Sequence, residues 1–307
     1  MRRREYELQP APEFLFERRS LLRHCADRRP GNSEMNAPGG RWVLVAGNQL
    51  PYSLTRREEL LLPRAEAPTL TITSDPHNSI AVLGGSGPDW IITLCAQGDG
   101  QSEAEARERL QHIALHAAGG TVSLTGPGLY EGRRGNGDLI VEGPIDAGVV
   151  IHGTYTSVEV RDLAGPVRIA ATHARARILE TTGQLDVTAG VVDFAGASGR
   201  VTLSAEAEIN LKMTSKRFEG KLLAWAQRSV RMLLPPGFRT PIEVMVTRRK
   251  DFVCRAEFSS DVNRERQGEW YVFTYGMDRG EPAEGLHLCS EEATVVIDNL
   301  AGPQWRN

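Results

Sequence analysis

The stretch from Gly148 to Met213 constrains the fold more than any other part of the chain. Two apolar residues flanking a single residue recur there about every nine positions, with glycines between the pairs. A spacing of two is the side-chain period of a β-strand, and glycine is typical of the turns that separate short strands. The apolar pairs are Val149/Ile151, Val158/Val160, Val167/Ile169, Ala176/Ile178, Leu185/Val187, Val192/Phe194, Val201/Leu203 and Ile209/Leu211.

Strands this short bury little surface alone, but stacked coils can share one apolar interior. The repeat therefore predicts an all-β (mainly β) protein with a single-stranded parallel β-solenoid, also called a β-helix. An antiparallel sandwich or barrel, which also has short strands at regular intervals, is the alternative. It is less favoured because no Asn-Gly or Asp-Gly hairpin turn occurs in the stretch.

The residues between the apolar pairs are mostly polar and indicate how many strands form one coil. With two strands per coil, positions about eighteen apart are neighbours, so Glu159, Arg177 and Asp193 form one column and Arg168 lies beside Asp186. Three strands per coil would bring Glu159 beside Asp186, a contact between like charges. We therefore favour two, and we expect these outward pairs to be exposed and weak, about 0–1 kcal/mol each.

The rest of the chain divides around this repeat. Residues 1–40 are predicted to be a disordered tail or linker, 41–120 to form strands and one capping α-helix at 102–118, 121–260 to form the solenoid, and 261–307 to form a C-terminal β cap. Ser102 and Glu105 fit a capping box at the start of that helix. Gly119 and Gly120 are expected to end it.

Composition excludes several classes of protein. The net charge is −3, which does not favour nucleic acid or an anionic membrane as a partner. No segment approaches ~18 apolar residues and no secretory signal is evident, so a cytoplasmic protein without a membrane span is the default expectation. The cysteines are far apart and form no CxxC motif, which predicts reduced, mostly buried thiols and no zinc site.

Three segments resemble a known bacterial family. They are the short Val-x-Ile/Leu strands with glycine turns at 148–213, the helical segment Ser102–Ala118, and the strand with its proline turn at Val230–Phe238. Together they resemble the putative-adhesin β-solenoid domains, which are related to the head domains of autotransporter-like adhesins. The resemblance covers about residues 68–260. It implies a β-solenoid without established catalytic residues; the cell-surface role of the family is not supported by this sequence, which shows neither a signal peptide nor a membrane segment.

Several patterns that could bind ligands have simpler structural interpretations. His112 and His116 are four apart on the expected helix, but Arg109 on the same stripe would repel a cation. The alternating residues from Asp99 to Glu105 lack the glycine of a calcium loop. The glycine-rich segment from Gly126 to Gly137 lacks the lysine of a phosphate-binding loop. The sequence therefore predicts no metal, cofactor or catalytic residue.

One local bias in charge remains as a candidate site. The chain has four lysines, and three of them lie close together in sequence with three arginines among them. Such a group is typical of a patch that contacts an anion or an acidic partner. The candidate residues are Lys212, Lys216, Arg217, Lys221, Arg228 and Arg231.

Three functions fit this pattern. The first is a non-catalytic scaffold or interaction protein, adhesin-like, with a protein or polysaccharide partner. The second is a carbohydrate-binding or carbohydrate-active β-helix enzyme, which would need two or more acids converging in a groove. The third is a polymer-forming cytoplasmic solenoid, or a homo-oligomer assembled through the solenoid ends. The absence of paired acids favours the first.

Overall fold

A computed structural model describes residues 51–126, 135–276, 285–290 and 294–299. The described chain is mainly β, with one α-helix and one large mixed sheet that is not closed. The predicted tail at 1–40 lies outside the described residues, as does most of the glycine-rich segment from Gly126 to Gly137. No described helix is long and apolar enough to cross a membrane.

Strands and one helix precede the repeat. The helix starts as predicted, because the Ser102 hydroxyl accepts a hydrogen bond from the Glu105 N–H over 3.2 Å. The elements are β1 (Tyr52–Leu62), β2 (Thr69–Ser74), β3 (Ser79–Gly85), β4 (Trp90–Gly100), α1 (Glu103–Gln111), β5 (Ala114–Ala118), β6 (Thr121–Thr125) and β7 (Gly135–Pro144).

The prediction of a helix over 102–118 is wrong beyond Gln111. Residues 114–118 form β5, which pairs with β6 in an antiparallel hairpin. Gly119 and Gly120 form its two-residue turn, with φ values of 55° and 75°. This turn requires positive φ at both central residues, which glycine adopts without strain. Ile113 is fully buried, and the chain leaves the helix there to continue as a strand.

The repeat forms five strands. They are β8 (Gly148–Thr154), β9 (Ser157–Arg161), β10 (Val167–Leu179), β11 (Gln184–Gly196) and β12 (Ser198–Met213). All neighbouring pairs among them are parallel. The register shifts once within each of β10, β11 and β12, so that the first half of each strand pairs in one row of strands and the second half pairs in another. Val149 pairs with Val167 and Val167 with Leu185, which confirms that positions eighteen apart are neighbours.

Every apolar pair predicted to point inward is buried. Val167, Ile169, Leu185 and Val187 are at most 2% exposed, and they belong to one core cluster that runs from Ala67 to Ile297. The alternation of apolar and polar residues produces this core, because alternate side chains of a strand point to opposite faces.

The C-terminal part keeps the two rows. It consists of β13 (Glu219–Ala226), β14 (Ser229–Leu234), β15 (Ile242–Val246), β16 (Phe252–Cys254), β17 (Asn263–Gln267), β18 (Trp270–Tyr275), β19 (Gly285–Ser290) and β20 (Val295–Asn299), with single 3₁₀ turns at Arg249–Asp251 and Ser259–Asp261.

Two parallel rows result. The first row is β6, β2, β8, the first halves of β10 to β12, β13, β19 and β15. The second row is β7, β3, β9, the second halves of β10 to β12, β14, β20 and β16.

Antiparallel strands extend both rows, and they make the sheet mixed. β5 and the β17–β18 hairpin extend the first row, and β1 and β4 extend the second. The fold-class prediction is therefore confirmed as mainly β, whereas a uniformly parallel sheet is not found.

Glycines allow close backbone contact between successive layers at one corner of the first row. Gly165 and Gly183 precede β10 and β11, and Gly199 and Gly220 are the second residues of β12 and β13. The backbone of each lies against the backbone of the preceding layer. A Cβ on Gly183 would be 2.2 Å from the carbonyl oxygen of Gly165, and one on Gly220 would be 2.3 Å from that of Gly199. Only glycine permits an approach this close.

Candidate interaction surface

The outward side of the first row is the more exposed of the two, and we call it the open face. Its central column runs across eight paired strands in register. Arg168 and Asp186 are neighbours in it, 3.8 Å apart, with side chains 71% and 53% exposed. Their pairing and exposure are as predicted. The column consists of Thr71, Val150, Arg168, Asp186, Thr202, Leu223, His287 and Glu243.

The far end of the open face carries a second charged pair and an apolar side chain. His287 Nδ1 lies 3.0 Å from Glu243 Oε1. Leu223 beside them is 38% exposed, on a column whose other members, apart from Val150, are polar. The face is thus mixed in character, with separated charges of both signs instead of a cluster of one sign.

The outward side of the second row is buried, and we call it the covered face. Glu159 and Asp193 are both 0% exposed. Their column, with Arg177 between them, is confirmed by the pairing of the strands. The expectation that this column is exposed is wrong, because both carboxylates are enclosed by protein. The period of the repeat predicts which strands pair, but it does not predict whether their outward side chains are exposed.

The buried acids are surrounded by basic and amide groups. Asp193 accepts hydrogen bonds from Arg175 Nε over 2.6 Å and from Asn210 Nδ2 over 2.9 Å. Glu159 pairs with Arg161 over 3.1 Å and with Arg177 over 3.6 Å. A buried carboxylate requires such partners, since an unpaired charge away from water is strongly destabilising. These acids are therefore engaged in structure.

The corner between the rows carries an aromatic stack that the sequence analysis missed. The rings of His77 and Tyr155 are 5.5 Å apart between centroids, and those of Tyr155 and His173 are 5.1 Å apart. All three residues have φ between 53° and 68°, the left-handed region. Glu206 accepts at 2.7 Å from His173 Nδ1. The spacing of eighteen between Tyr155 and His173 was the signal that could have revealed it.

The opposite corner carries an acidic pair beside a lysine. Asp162 and Glu180, also eighteen apart, are both left-handed, with φ of 56° and 48°. Glu180 is exposed at the residue level, yet desolvation by the surrounding protein raises the pKa of its carboxyl, and Asp162 raises it further. Lys212 opposes this rise. Burial also lowers the pKa of the Lys212 ammonium, which Glu180 partly offsets.

The structure places the six predicted patch residues around β13. Lys212, Lys216, Arg217 and Lys221 surround the connection from β12 to β13 at one corner. Arg228 lies in the turn after β13, roughly 23 Å along that strand from Lys221 at about 3.3 Å per residue. Arg231 on β14 lies beside β12, because Arg231 pairs with Asn210 and Leu233 pairs with Lys212. The fold therefore brings Arg231 towards Lys212 and leaves Arg228 apart.

The other candidate ligands are also placed apart or engaged locally. His112 is the C-cap of α1 and His116 is on β5, so they do not share a helix face. Glu105 Oε2 accepts from the Gln101 N–H over 2.6 Å, and Glu105 also pairs with Arg109. Among the described residues no group of three or more histidine, cysteine or acidic side chains could hold a metal ion.

The cysteines differ in state. Cys254 and Cys289 form no disulfide, whereas Cys95 is disulfide-bonded. The expectation of reduced thiols throughout is therefore wrong at Cys95. Burial raises the pKa of the Cys254 thiol, so it remains protonated and weakly reactive.

No protein-family model and no curated protein matches this sequence. Several solved structures are similar to it. A putative cell adhesion protein from Clostridium sporogenes is 9% identical, with a TM-score of 0.33, over 80% of this chain and 99% of that chain. A putative adhesin from Parabacteroides merdae is 8% identical, with a TM-score of 0.30, over 83% and 98%.

A putative adhesin from Bacteroides fragilis is also similar, at 8% identity and a TM-score of 0.23, over 81% of this chain and 98% of that chain. These proteins carry the same description as the family that the sequence resembles. At such TM-scores we base no functional conclusion on the likeness.

Proposed function

We propose that the chain is a non-catalytic β-solenoid scaffold that contacts a protein partner through the open face. The observation that carries the proposal is the outward column from Thr71 to Glu243, which a parallel register holds across eight strands and of which the four central residues, Arg168 to Leu223, are exposed. In this proposal the two rows are the two sides of one flattened solenoid with about eighteen residues per coil.

The dimensions of the open face suit a protein partner. Eight strands about 4.8 Å apart span roughly 34 Å, and strands of about five residues span roughly 17 Å. The resulting area of about 600 Å² is comparable to the ~800 Å² that each partner contributes to a standard interface. Separated charges with one exposed leucine are also typical of a protein-binding surface, where charges set specificity and apolar groups supply affinity.

The positions of the acids argue against a carbohydrate-active enzyme. Glycoside hydrolysis requires two carboxyl groups that face each other across the substrate. Glu159 and Asp193 are buried in ion pairs on one face, and Asp186 is on the other face beside Arg168. The described residues therefore do not place two of these acids in one groove.

Polymerisation through the ends is also disfavoured at the described C-terminal edge. All five residues of β17 are exposed, and Arg264, Glu265 and Arg266 follow one another along it. Charged side chains on an edge strand oppose pairing with a second chain. The proposed scaffold is therefore a soluble binding module, and the cytoplasmic localisation expected from the sequence stays a prediction.

The experiment is a binding screen with the full chain and two variants. The immobilised chain is assayed against a panel of proteins and polysaccharides, next to L223R in the open face and Arg264→Glu in β17 as the matched control. We expect saturable binding to a protein, lost in L223R and retained in the control. Release of reducing sugar ends from a polysaccharide, or equal binding by both variants, would contradict the proposal.

A further inference from the structure

β1 is the outermost strand of the second row at the N-terminal end of the described sheet. One side of it pairs with β4 in antiparallel register along all eleven residues, and no described strand pairs with the other side. An open strand edge presents a row of backbone N–H and C=O groups to any strand that can pair with it. This side of β1 is therefore a surface on which a further strand can dock.

Alternate side chains of β1 point towards the interior of the fold. Arg56 donates a hydrogen bond to the Ile113 carbonyl on that side, and Leu60 and Leu62 pack against the core. The inward series is Tyr52, Leu54, Arg56, Glu58, Leu60 and Leu62. In either direction this series runs apolar, apolar, charged, charged, apolar, apolar, and reversal exchanges the signs of the two charges. The strand is thus complementary to a reversed copy of itself.

We propose that this edge pairs with β1 of a second copy of the chain, antiparallel about a two-fold axis at Arg57. Directly opposite side chains of an antiparallel pair lie on the same face of the sheet, so the axis must pass through a residue position. With Arg57 on the axis, Arg56 lies opposite Glu58 of the second copy and Leu54 lies opposite Leu60. All eleven residues then pair, over roughly 37 Å at about 3.4 Å per residue.

The neighbouring registers are less favourable, because like charges directly opposite each other are destabilising. An axis at Arg56 brings two arginines together on the inward side, and an axis at Glu58 brings two glutamates together there. An axis at Arg57 also brings two arginines together, but on the outward side, where this side chain is 61% exposed. The carboxylate of Glu59 lies 3.1 Å from each of them in its own strand, and water screens the remaining repulsion. The order of charges therefore selects the register centred on Arg57.

A cavity beside this edge is suited to contact with the second copy. It has a volume of about 470 Å³ and lies between β1 and β5, with Glu58, Leu60 and Leu115 in its wall. In the proposed register Leu54 of the second copy lies opposite Leu60, at this cavity. The contact removes apolar surface of both copies from water and adds to the pairing of the backbones.

The association is expected to stop at two copies. The edge strand β17 in the C-terminal part has Arg264, Glu265 and Arg266 in succession, all exposed. A two-fold axis at Glu265 would place Arg264 opposite Arg266, so the rule that favours self-pairing of β1 opposes self-pairing of β17. A two-fold contact through one edge is closed and gives a dimer instead of a fibre. Because the contact uses an edge of the second row, it is independent of the function proposed for the open face.

The first test is sedimentation equilibrium of the unmodified full chain across a range of protein concentrations. We expect a species with twice the mass of one chain, which dissociates on dilution if the affinity is modest. The mass of a single chain at every concentration, or a continuous series of larger oligomers, would overturn the proposal.

Charge variants test the register. Arg56→Glu places acid opposite acid and Glu58→Arg places base opposite base, so each variant alone should dimerise about tenfold more weakly, or worse. A mixture of the two should dimerise again, because the acids of one copy then face the bases of the other. Arg264→Glu makes the same change of charge in β17 and should leave the dimer intact. Failure of the mixture to associate, with both variants folded by circular dichroism, would show that this register is wrong.

A cysteine variant decides the case in which the charge variants do not fold. Arg57→Cys places two thiols opposite each other at the axis, within the range of a disulfide, whereas Glu59→Cys keeps them roughly 14 Å apart along the strands. After oxidation with oxidised glutathione and digestion without reductant, the first variant should give a β1 peptide linked to its own copy, and the second should not. Linkage through Glu59→Cys alone, or through neither variant, would refute the proposed dimer.

Discussion

Arg175 Nε lies 2.6 Å from Asp193 Oδ2 on the covered face, and this carboxylate is fully buried. A buried ion pair adds little net stability relative to apolar side chains of the same size. Removing only one partner is nevertheless strongly destabilising, because it leaves an uncompensated buried charge. In the equivalent pair on the open face, the side chains of Arg168 and Asp186 are both exposed to water. The two pairs therefore allow the effect of burial to be measured within one molecule.

We predict that Arg175→Met destabilises the fold by about 3–5 kcal/mol, because Asp193 loses its main counter-charge. The control Arg168→Met should change the free energy of unfolding by about 0–1 kcal/mol. Urea unfolding followed by circular dichroism measures both. Equal losses for the two variants would show that the covered face is open to water in solution.

Gly183→Ala should destabilise the fold by about 1–3 kcal/mol, the usual range for overpacking. The added Cβ would meet the Gly165 carbonyl oxygen at 2.2 Å, and backbone cannot move aside as a flexible side chain can. Gly87→Ala is the control, since its Cβ would meet its nearest neighbour at 3.9 Å. Thermal unfolding of both variants is the measurement, and an unchanged midpoint for Gly183→Ala would contradict the close stacking of the coils.

Thr240→Val should destabilise the fold by about 1–3 kcal/mol, because it leaves buried backbone groups without a partner. The Thr240 hydroxyl accepts from the Phe218 N–H over 2.6 Å and donates to the Phe218 carbonyl over 3.4 Å. Thr240→Ser retains the hydroxyl and should recover most of the loss. If Ser and Val behave alike in urea unfolding, packing of the methyl group dominates instead.

The Glu180 carboxyl should titrate above its ordinary range, and its neighbours should move it in opposite directions. Burial is the main cause of its raised pKa, with Asp162 adding to the rise and Lys212 opposing it. Asp162→Asn is therefore expected to lower the pKa of Glu180, and Lys212→Met to raise it. Carboxyl carbon shifts from NMR, recorded against pH, measure both, and a common direction for the two variants would refute the assignment.

The same shift predicts the pH dependence of stability. Because the pKa of Glu180 is raised in the folded state, its contribution to stability is fully present below the unfolded pKa and is lost as the pH rises through the folded pKa. Glu180→Gln removes this dependence. The free energy of unfolding of the parent relative to Glu180→Gln should fall as the pH rises above the ordinary pKa of a glutamate carboxyl, about 4.3, because the folded state then holds the proton more tightly than the unfolded state.

The inward side chains and their register could be predicted from the sequence, whereas the exposure of the outward side chains could not. Val149 and Ile151 alternate with the strand period, and the charge pattern around Arg177 fixes the spacing of eighteen. Both are local signals. The burial of Glu159 is not encoded by any local period. Leu115 follows α1 at an apolar position that suits a helix or a strand, and only pairing with β6 decides between them.

Proximity in sequence is likewise an incomplete guide to proximity in this fold. Lys216 and Arg228 are close in sequence, but β13 lies between them and places them at opposite corners. Clustering along the chain predicts clustering in space inside a helix or loop, and it fails across a strand about 23 Å long. The stack of Tyr155 and His173 is the reverse case, since it joins residues distant in sequence through the repeat.

The column of glycines from Gly165 to Gly220 bears on how such a molecule can change in size. Peptide groups of successive layers touch at these glycines although the glycines are 18, 16 and 21 residues apart in the chain. The points of contact are therefore kept while the length of chain between them changes. Variation in length among proteins built this way is expected both as whole periods and as small differences between one contact glycine and the next.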